Sequence, residues 1–267
     1  LGSSGSVSVY SNLDWPTAAT FTLPTGSGAP ATSCLRSAGT CRVTVSYDGN
    51  AKVLSDSDSD SFTINKVTST VALTLSPSSV AAGTAVTASA TVVLGNGGDP
   101  SCTNCLEFRL GSTTGTLIAT ASVANDGSAS ASLPTGGSNA LDVGSRTVYA
   151  VYQETSTVAG SSDSDSVTVT EIDVSVAISS SASSYARNTD ITIDVTITPG
   201  TAPGTICLRY VGQTSCLQSK TVSSGSMTLT WNSPNSAGTH DLEVHYSTTN
   251  NDYSSPVDSN TLTITLT

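Results

Sequence analysis

Val143-Gly144-Ser145-Arg146-Thr147-Val148-Tyr149-Ala150-Val151-Tyr152, with Ser162-Asp163-Ser164-Asp165-Ser166 soon after, is the stretch on which the fold is read. Two variants of it occur elsewhere in the chain. Ser37-Ala38-Gly39-Thr40-Cys41-Arg42-Val43-Thr44-Val45-Ser46-Tyr47 precedes Ser57-Asp58-Ser59-Asp60-Ser61, and Ser236-Ala237-Gly238-Thr239-His240-Asp241-Leu242-Glu243-Val244-His245-Tyr246 precedes Asp258 and Leu262-Thr263-Ile264. Tyr47, Tyr152 and Tyr246 hold one place in the pattern, and Phe62, Val167 and Leu262 another. Alternation with period two sends successive side chains to opposite faces, as in a half-buried strand. A pattern that returns along the chain means one structural unit used more than once.

Outward from that stretch, residues 67–170 hold seven candidate strands near Thr70–Leu75, Ala85–Val93, Leu106–Leu110, Leu117–Val123, Ala129–Leu133, Thr147–Tyr152 and Ser166–Thr170. Seven short strands at this spacing suit a two-layer sandwich. Charged residues are only 11% and aromatics 5%, and no segment shows the 3.6-residue apolar spacing of a helix. The chain reads as all-β.

The small-Gly-Thr-His-x-apolar-x-Val-x-Tyr pattern, met best by Ala237 to Tyr246, and the opening Leu75-Ser76-Pro77-Ser78-Ser79-Val80-Ala81-Ala82-Gly83 resemble the bacterial immunoglobulin-like repeats of large surface adhesins and secreted proteins. The resemblance implies tandem immunoglobulin-like β-sandwiches of Greek-key type, with about seven strands each, in an elongated rod. It identifies a scaffold more firmly than a task. Three units are expected, at residues 1–66, 67–170 and 171–267. Leu1-Gly2-Ser3 lines up with Leu110-Gly111-Ser112, so the first unit lacks its first three strands and is expected to be completed by an upstream segment or by another protomer. The junctions at Asn65–Ser69 and Thr170–Asp173 contain no Gly/Pro/Ser spacer, which favours a stiff connection.

A net charge of -11 with nine scattered Lys and Arg excludes a phosphate-binding stripe, hence nucleic acid as a partner. No apolar run reaches membrane-spanning length. Six cysteines fall into the local pairs Cys34/Cys41, Cys102/Cys105 and Cys207/Cys216, read as disulfides of an extracellular or cell-surface protein. Zinc is the rival for Cys102-Thr103-Asn104-Cys105, but a lone CxxC lacks the second pair of ligands.

Asp56, Asp58, Asp60, Asp163 and Asp165 alternate with serine, which places the carboxylates of each run on one side of an extended chain. Two readings stand: a Ca²⁺ site, since hard oxygen ligands suit that ion, or solvated charges that block edge-to-edge pairing. No EF-hand spacing is present. His240 and His245 are expected on opposite faces of one strand, where they cannot converge on one metal or one triad. No catalytic motif occurs, and no enzyme activity is expected. Trp15, in Leu13-Asp14-Trp15-Pro16, is the contact candidate, and Trp231 is expected in a core. The tyrosines are expected to bury the ring and hydrogen-bond the hydroxyl to backbone.

The first functional reading is a non-enzymatic structural segment of a surface filament, stalk or adhesin, partnered by copies of itself or further repeats. The alternatives are a carbohydrate- or protein-binding module, or an accessory region of a larger secreted enzyme.

Overall fold

The computed structural model describes residues 4–7, 19–22, 38–47, 54–137 and 141–267. Among the described residues every helix-length or strand-length element is a strand. β1 (Ser4–Val7) pairs antiparallel with β2 (Ala19–Thr22), and β3 (Gly39–Tyr47) with β4 (Asp56–Ile64).

The next stretch forms β5 (Ser69–Ser76), β6 (Ser79–Ala81), β7 (Val86–Leu94), β8 (Cys102–Leu110), β9 (Thr116–Val123), β10 (Ser128–Leu133), β11 (Gly144–Tyr152) and β12 (Ser161–Thr170). They make two sheets, ordered β10-β7-β5 and β6-β12-β11-β8-β9. The chain crosses from one sheet to the other between β7 and β8, β9 and β10, and β10 and β11, which is Greek-key connection in an immunoglobulin-like sandwich. The alternation seen in sequence is the burial pattern. In β7, Val86, Ala88, Ala90, Val92 and Leu94 are buried, while Thr87, Ser89, Thr91 and Val93 face out. Facing them across the interior are Leu106, Phe108, Val148 and Ala150. Each fully buried aliphatic chain contributes about 1.5–3 kcal/mol.

The third stretch repeats the layout with β13 (Ser175–Ser179), β14 (Ser184–Tyr185), β15 (Asp190–Thr198), β16 (Thr205–Tyr210), β17 (Gln218–Thr221), β18 (Ser226–Asn232), β19 (Gly238–Ser247), β20 (Val257–Asp258) and β21 (Leu262–Leu266). Its sheets run β13-β15-β18 and β14-β21-β19-β16-β17, with β20 also on β19. They enclose a core of their own around Ile191, Ile193, Ile206, Leu208, Trp231 and Tyr246. Trp231 is 1% exposed, in the core as its strand position suggests.

The repeated sequence stretch folds with a repeated register. Gly39 faces Ile64 and Tyr47 faces Asp56 on β3–β4, as Gly144 faces Val169 and Tyr152 faces Ser161 on β11–β12. The largest differences from the sequence reading are at the starts of β12 and β8. β12 starts at Ser161, not near Ser166, because the Asp-Ser run is itself strand. Cys102 and Cys105 lie inside β8, not in a loop before it. The disulfide between them closes over a β-bulge, with the register slipping between Cys102 and Leu106 and Asn104 at φ 51°.

Candidate functional site: sealed sheet edges and joined sandwiches

The inward face of β12 carries Ser161, Asp163, Asp165, Val167 and Val169 in alternation. Val167 and Val169 fill the core, and the two carboxylates continue the same face toward the open side of the sandwich, where they are half-buried. Opposite them lies β5, the outer strand of the other sheet, whose outward N–H groups have no strand neighbour. The Leu73 N–H donates to Asp163 Oδ2 at 2.8 Å, and the Leu75 N–H donates to Asp165 Oδ2 at 2.8 Å. One step earlier, Ser69 Oγ donates to the Ala159 carbonyl at 2.6 Å and lies 2.7 Å from Ser161 Oγ. Asp165 Oδ1 takes the Ser166 N–H at 2.7 Å, which fixes the carboxylate and turns its other oxygen to β5.

This corrects the reading of Asp163 and Asp165 as solvated edge charges: they point into the seam between the sheets. The physical reason is that a backbone N–H at a sheet edge needs an acceptor, and an inward carboxylate is a strong one. Hydrogen bonds to charged groups are worth about 1.5–3 kcal/mol each. Asp60 on β4 shows the same local turn, its Oδ1 taking the Ser61 N–H at 2.8 Å, and Asp56, Asp58 and Asp60 are exposed. Among the described residues, no three His, Cys, Asp or Glu side chains converge into a metal cage.

The third stretch seals the β13 edge of its small sheet with neutral groups, and the β18 edge with an amide and a lysine. On the β13 side, Ile178 N–H donates to Asn260 Oδ1 at 2.8 Å, Asn260 Nδ2 returns a bond to the Ile178 carbonyl at 3.0 Å, and Val174 N–H donates to Ser254 Oγ at 2.8 Å. On the β18 side, Thr230 N–H donates to Gln218 Oε1 at 2.6 Å, and Lys220 Nζ to the Thr228 carbonyl at 3.2 Å.

The junctions share one device. Val67 makes an isolated parallel bridge with Val158: its N–H donates to the Thr157 carbonyl at 2.9 Å and its carbonyl takes the Ala159 N–H at 2.8 Å. Ile172 does the same with Tyr253, donating to the Asp252 carbonyl at 2.7 Å and accepting from Ser254 at 3.0 Å. In each case the connecting residue is held by the loop that follows the Tyr152 or Tyr246 strand of the sandwich it leads into. Both aliphatic chains pack on the core around Phe108. Further ties are Ala38 N–H to the Ser156 carbonyl at 2.9 Å, Gly137 N–H to Asp252 Oδ2 at 3.1 Å, and an ion pair between Lys66 and Glu154.

Tyr152 and Tyr246 are buried, and each donates its hydroxyl to a proline carbonyl, Pro100 at 3.1 Å and Pro203 at 2.6 Å. Burial pushes both phenols above the ordinary 10.0, with the charge of Asp99 adding to the effect at Tyr152. Gly204 lets the Tyr246 ring approach, since a Cβ there would meet the ring at 2.7 Å. Cys207 and Cys216 are bonded, with Cα atoms 5.3 Å apart, and close the turn that joins β16 to β17. Cys34, Trp15 and the side chain of Cys41 lie outside the described residues.

His240 faces inward with Leu242 and Val244, and its ring lies 5.5 Å from Trp231 and 6.0 Å from Tyr210. His245 is on the opposite face, as alternation requires, with Nδ1 2.6 Å from Asp258 Oδ1. Arg209 joins that Asp258 at 2.9 Å to Glu243 at 2.8 Å, a partly buried network that sequence reading missed because its members come from three strands. Cross-strand register alone carries the signal: Arg209 faces Glu243 and His245 faces Asp258.

No protein-family model and no curated protein matches the sequence. Among solved structures, the chain is similar to the Yersinia pseudotuberculosis adhesin InvE at 13% identity and TM-score 0.36, over 73% of this chain and 58% of that one. It is similar to the Escherichia coli adhesin FdeC at 16% identity and TM-score 0.31, over 78% and 68%. The human OSCAR ligand-binding domain stands at 15% identity and TM-score 0.31, over 73% and 98%.

Proposed function

We propose that this chain is a non-enzymatic structural stretch of an extracellular protein of adhesin or stalk type, in which sandwiches are set end to end as a stiff rod. The observation that carries the reading is the bridge made by Val67 and repeated by Ile172. A connecting residue that is hydrogen-bonded on both sides and packed against a core has little freedom to swing. The units are residues 1–66, 67–170 and 171–267, and their partners are further units of the same kind. The disulfides at Cys102–Cys105 and Cys207–Cys216 suit an oxidising compartment, which supports a place outside the cell. The sequence patterns at Ala237–Tyr246 and Leu75–Gly83 support the adhesin-like class.

Small-angle X-ray scattering of the chain tests the reading. A rod gives a cross-section of one sandwich and a maximum dimension several times larger. A compact, near-isotropic particle overturns it.

A further inference from the structure

β5 is the first strand of its sandwich and β12 the last. The partners across their seam advance together: Ser69 with Ser161, Leu73 with Asp163, Leu75 with Asp165. The two strands therefore run in the same direction, and the chain enters at one end of the sandwich and leaves at the other. Tension applied to the ends slides β5 and β12 past one another in opposite senses. Bonds across such a seam are loaded together, unlike those of a hairpin, which open one after another. β6 lengthens the seam. It pairs in parallel with Thr168–Thr170, and Ala82 N–H donates to the Thr170 carbonyl at 2.9 Å. From Ser161 to Thr170 the last strand is thus fastened along its length to the start of the sandwich.

We propose that Asp163 and Asp165 are a load-bearing latch, holding the first strand of this sandwich to the last when the chain is pulled from its ends. The latch rests on the reading of the chain as an end-to-end structural link. Val67 and Ile172 deliver the load, because each is the residue by which the chain enters a sandwich and is fastened by backbone bonds to a loop of that sandwich. The carboxylates are suited to the task. Charge-assisted bonds are shorter and stronger than neutral ones, and each carboxylate here takes one N–H of β5 at 2.8 Å. The third stretch, sealed by Asn260 and Ser254, uses neutral acceptors in the corresponding seam.

The experiment holds the whole chain by its two ends at constant force and records unfolding lifetimes. The variants are Asp163→Ala with Asp165→Ala, Asp163→Asn with Asp165→Asn, and the core change Val86→Ala as reference for plain destabilisation. Urea unfolding of the same proteins supplies the equilibrium loss of each. The latch shortens the lifetime of one unfolding event in the alanine pair by about tenfold beyond what Val86→Ala shows per unit of equilibrium loss. The asparagine pair, which keeps an acceptor oxygen, stays within about threefold of the parent. If the alanine pair does not fold, each single alanine variant makes the same comparison at about half the logarithmic effect. An alanine pair no shorter-lived under load than Val86→Ala at equal equilibrium loss overturns the latch. Scattering on the same samples separates the two failures: an extended particle with unchanged lifetimes removes the latch alone, and a compact one removes the structural reading as well.

Discussion

The Tyr152 and Tyr246 rings show how one residue ties a strand to a distant loop. Each ring fills the interior and each hydroxyl donates to a proline carbonyl. Both phenols hold their protons above the ordinary 10.0 because burial disfavours the phenolate. The sign follows from linkage. Above that ordinary value the unfolded chain has released the protons and the folded chain has not, so the folded state binds more protons and stability falls as pH rises. The slope is at most about 1.4 kcal/mol per pH unit for each group. Tyr246→Phe removes that group's share and costs about 0.5–1.5 kcal/mol at neutral pH through the lost hydrogen bond. Urea midpoints of parent and variant should converge between pH 10 and pH 11.5, roughly. Curves that stay parallel across that range would refute the assignment. The recurrence of Tyr at Tyr47, Tyr152 and Tyr246 made this role legible in sequence. The proline acceptors were not, because they lie in loops whose approach to the ring depends on the fold.

At the level of the strand, alternation located seven of the eight strands between Ser69 and Thr170. The eighth, β6, has only three residues, too few to show a period. β12 was shortened in sequence because Ser161–Ser166 contains no apolar residue, and a polar run reads as loop until its partners are known. Its carboxylates find them across the sandwich, in backbone N–H groups that no composition argument can locate. The same geometry bears on metal. With one oxygen of Asp163 and of Asp165 already committed to Leu73 and Leu75, the seam is held by protein groups. EDTA is therefore expected to leave the melting temperature of the chain unchanged by calorimetry. A drop that Ca²⁺ restores would return these residues to the cation reading.

In the whole molecule, the joints decide whether sandwiches act singly or in series. The lack of Gly and Pro at Thr170–Asp173 was visible in sequence. The loop that receives Ile172 was not, since it contributes backbone carbonyls and its sequence, Thr248–Tyr253, reads as an ordinary turn. Ile172→Pro deletes the N–H that bonds the Asp252 carbonyl at 2.7 Å, while each sandwich keeps its own core. Fluorophores placed on the two sandwiches should then show a broader distribution of transfer efficiencies, with two unchanged unfolding transitions. An unaltered distribution would mean that the joint is held by something other than this bridge.

The Cys207–Cys216 crosslink encloses the turn at the end of β16, and Arg209 lies inside the enclosed ring. A protease that cuts the backbone anywhere within the ring leaves the two pieces covalently attached, each still anchored by its own strand. Digestion at that place passes unnoticed until a thiol reagent is added, so a protein exposed to secreted peptidases keeps its continuity after a nick there.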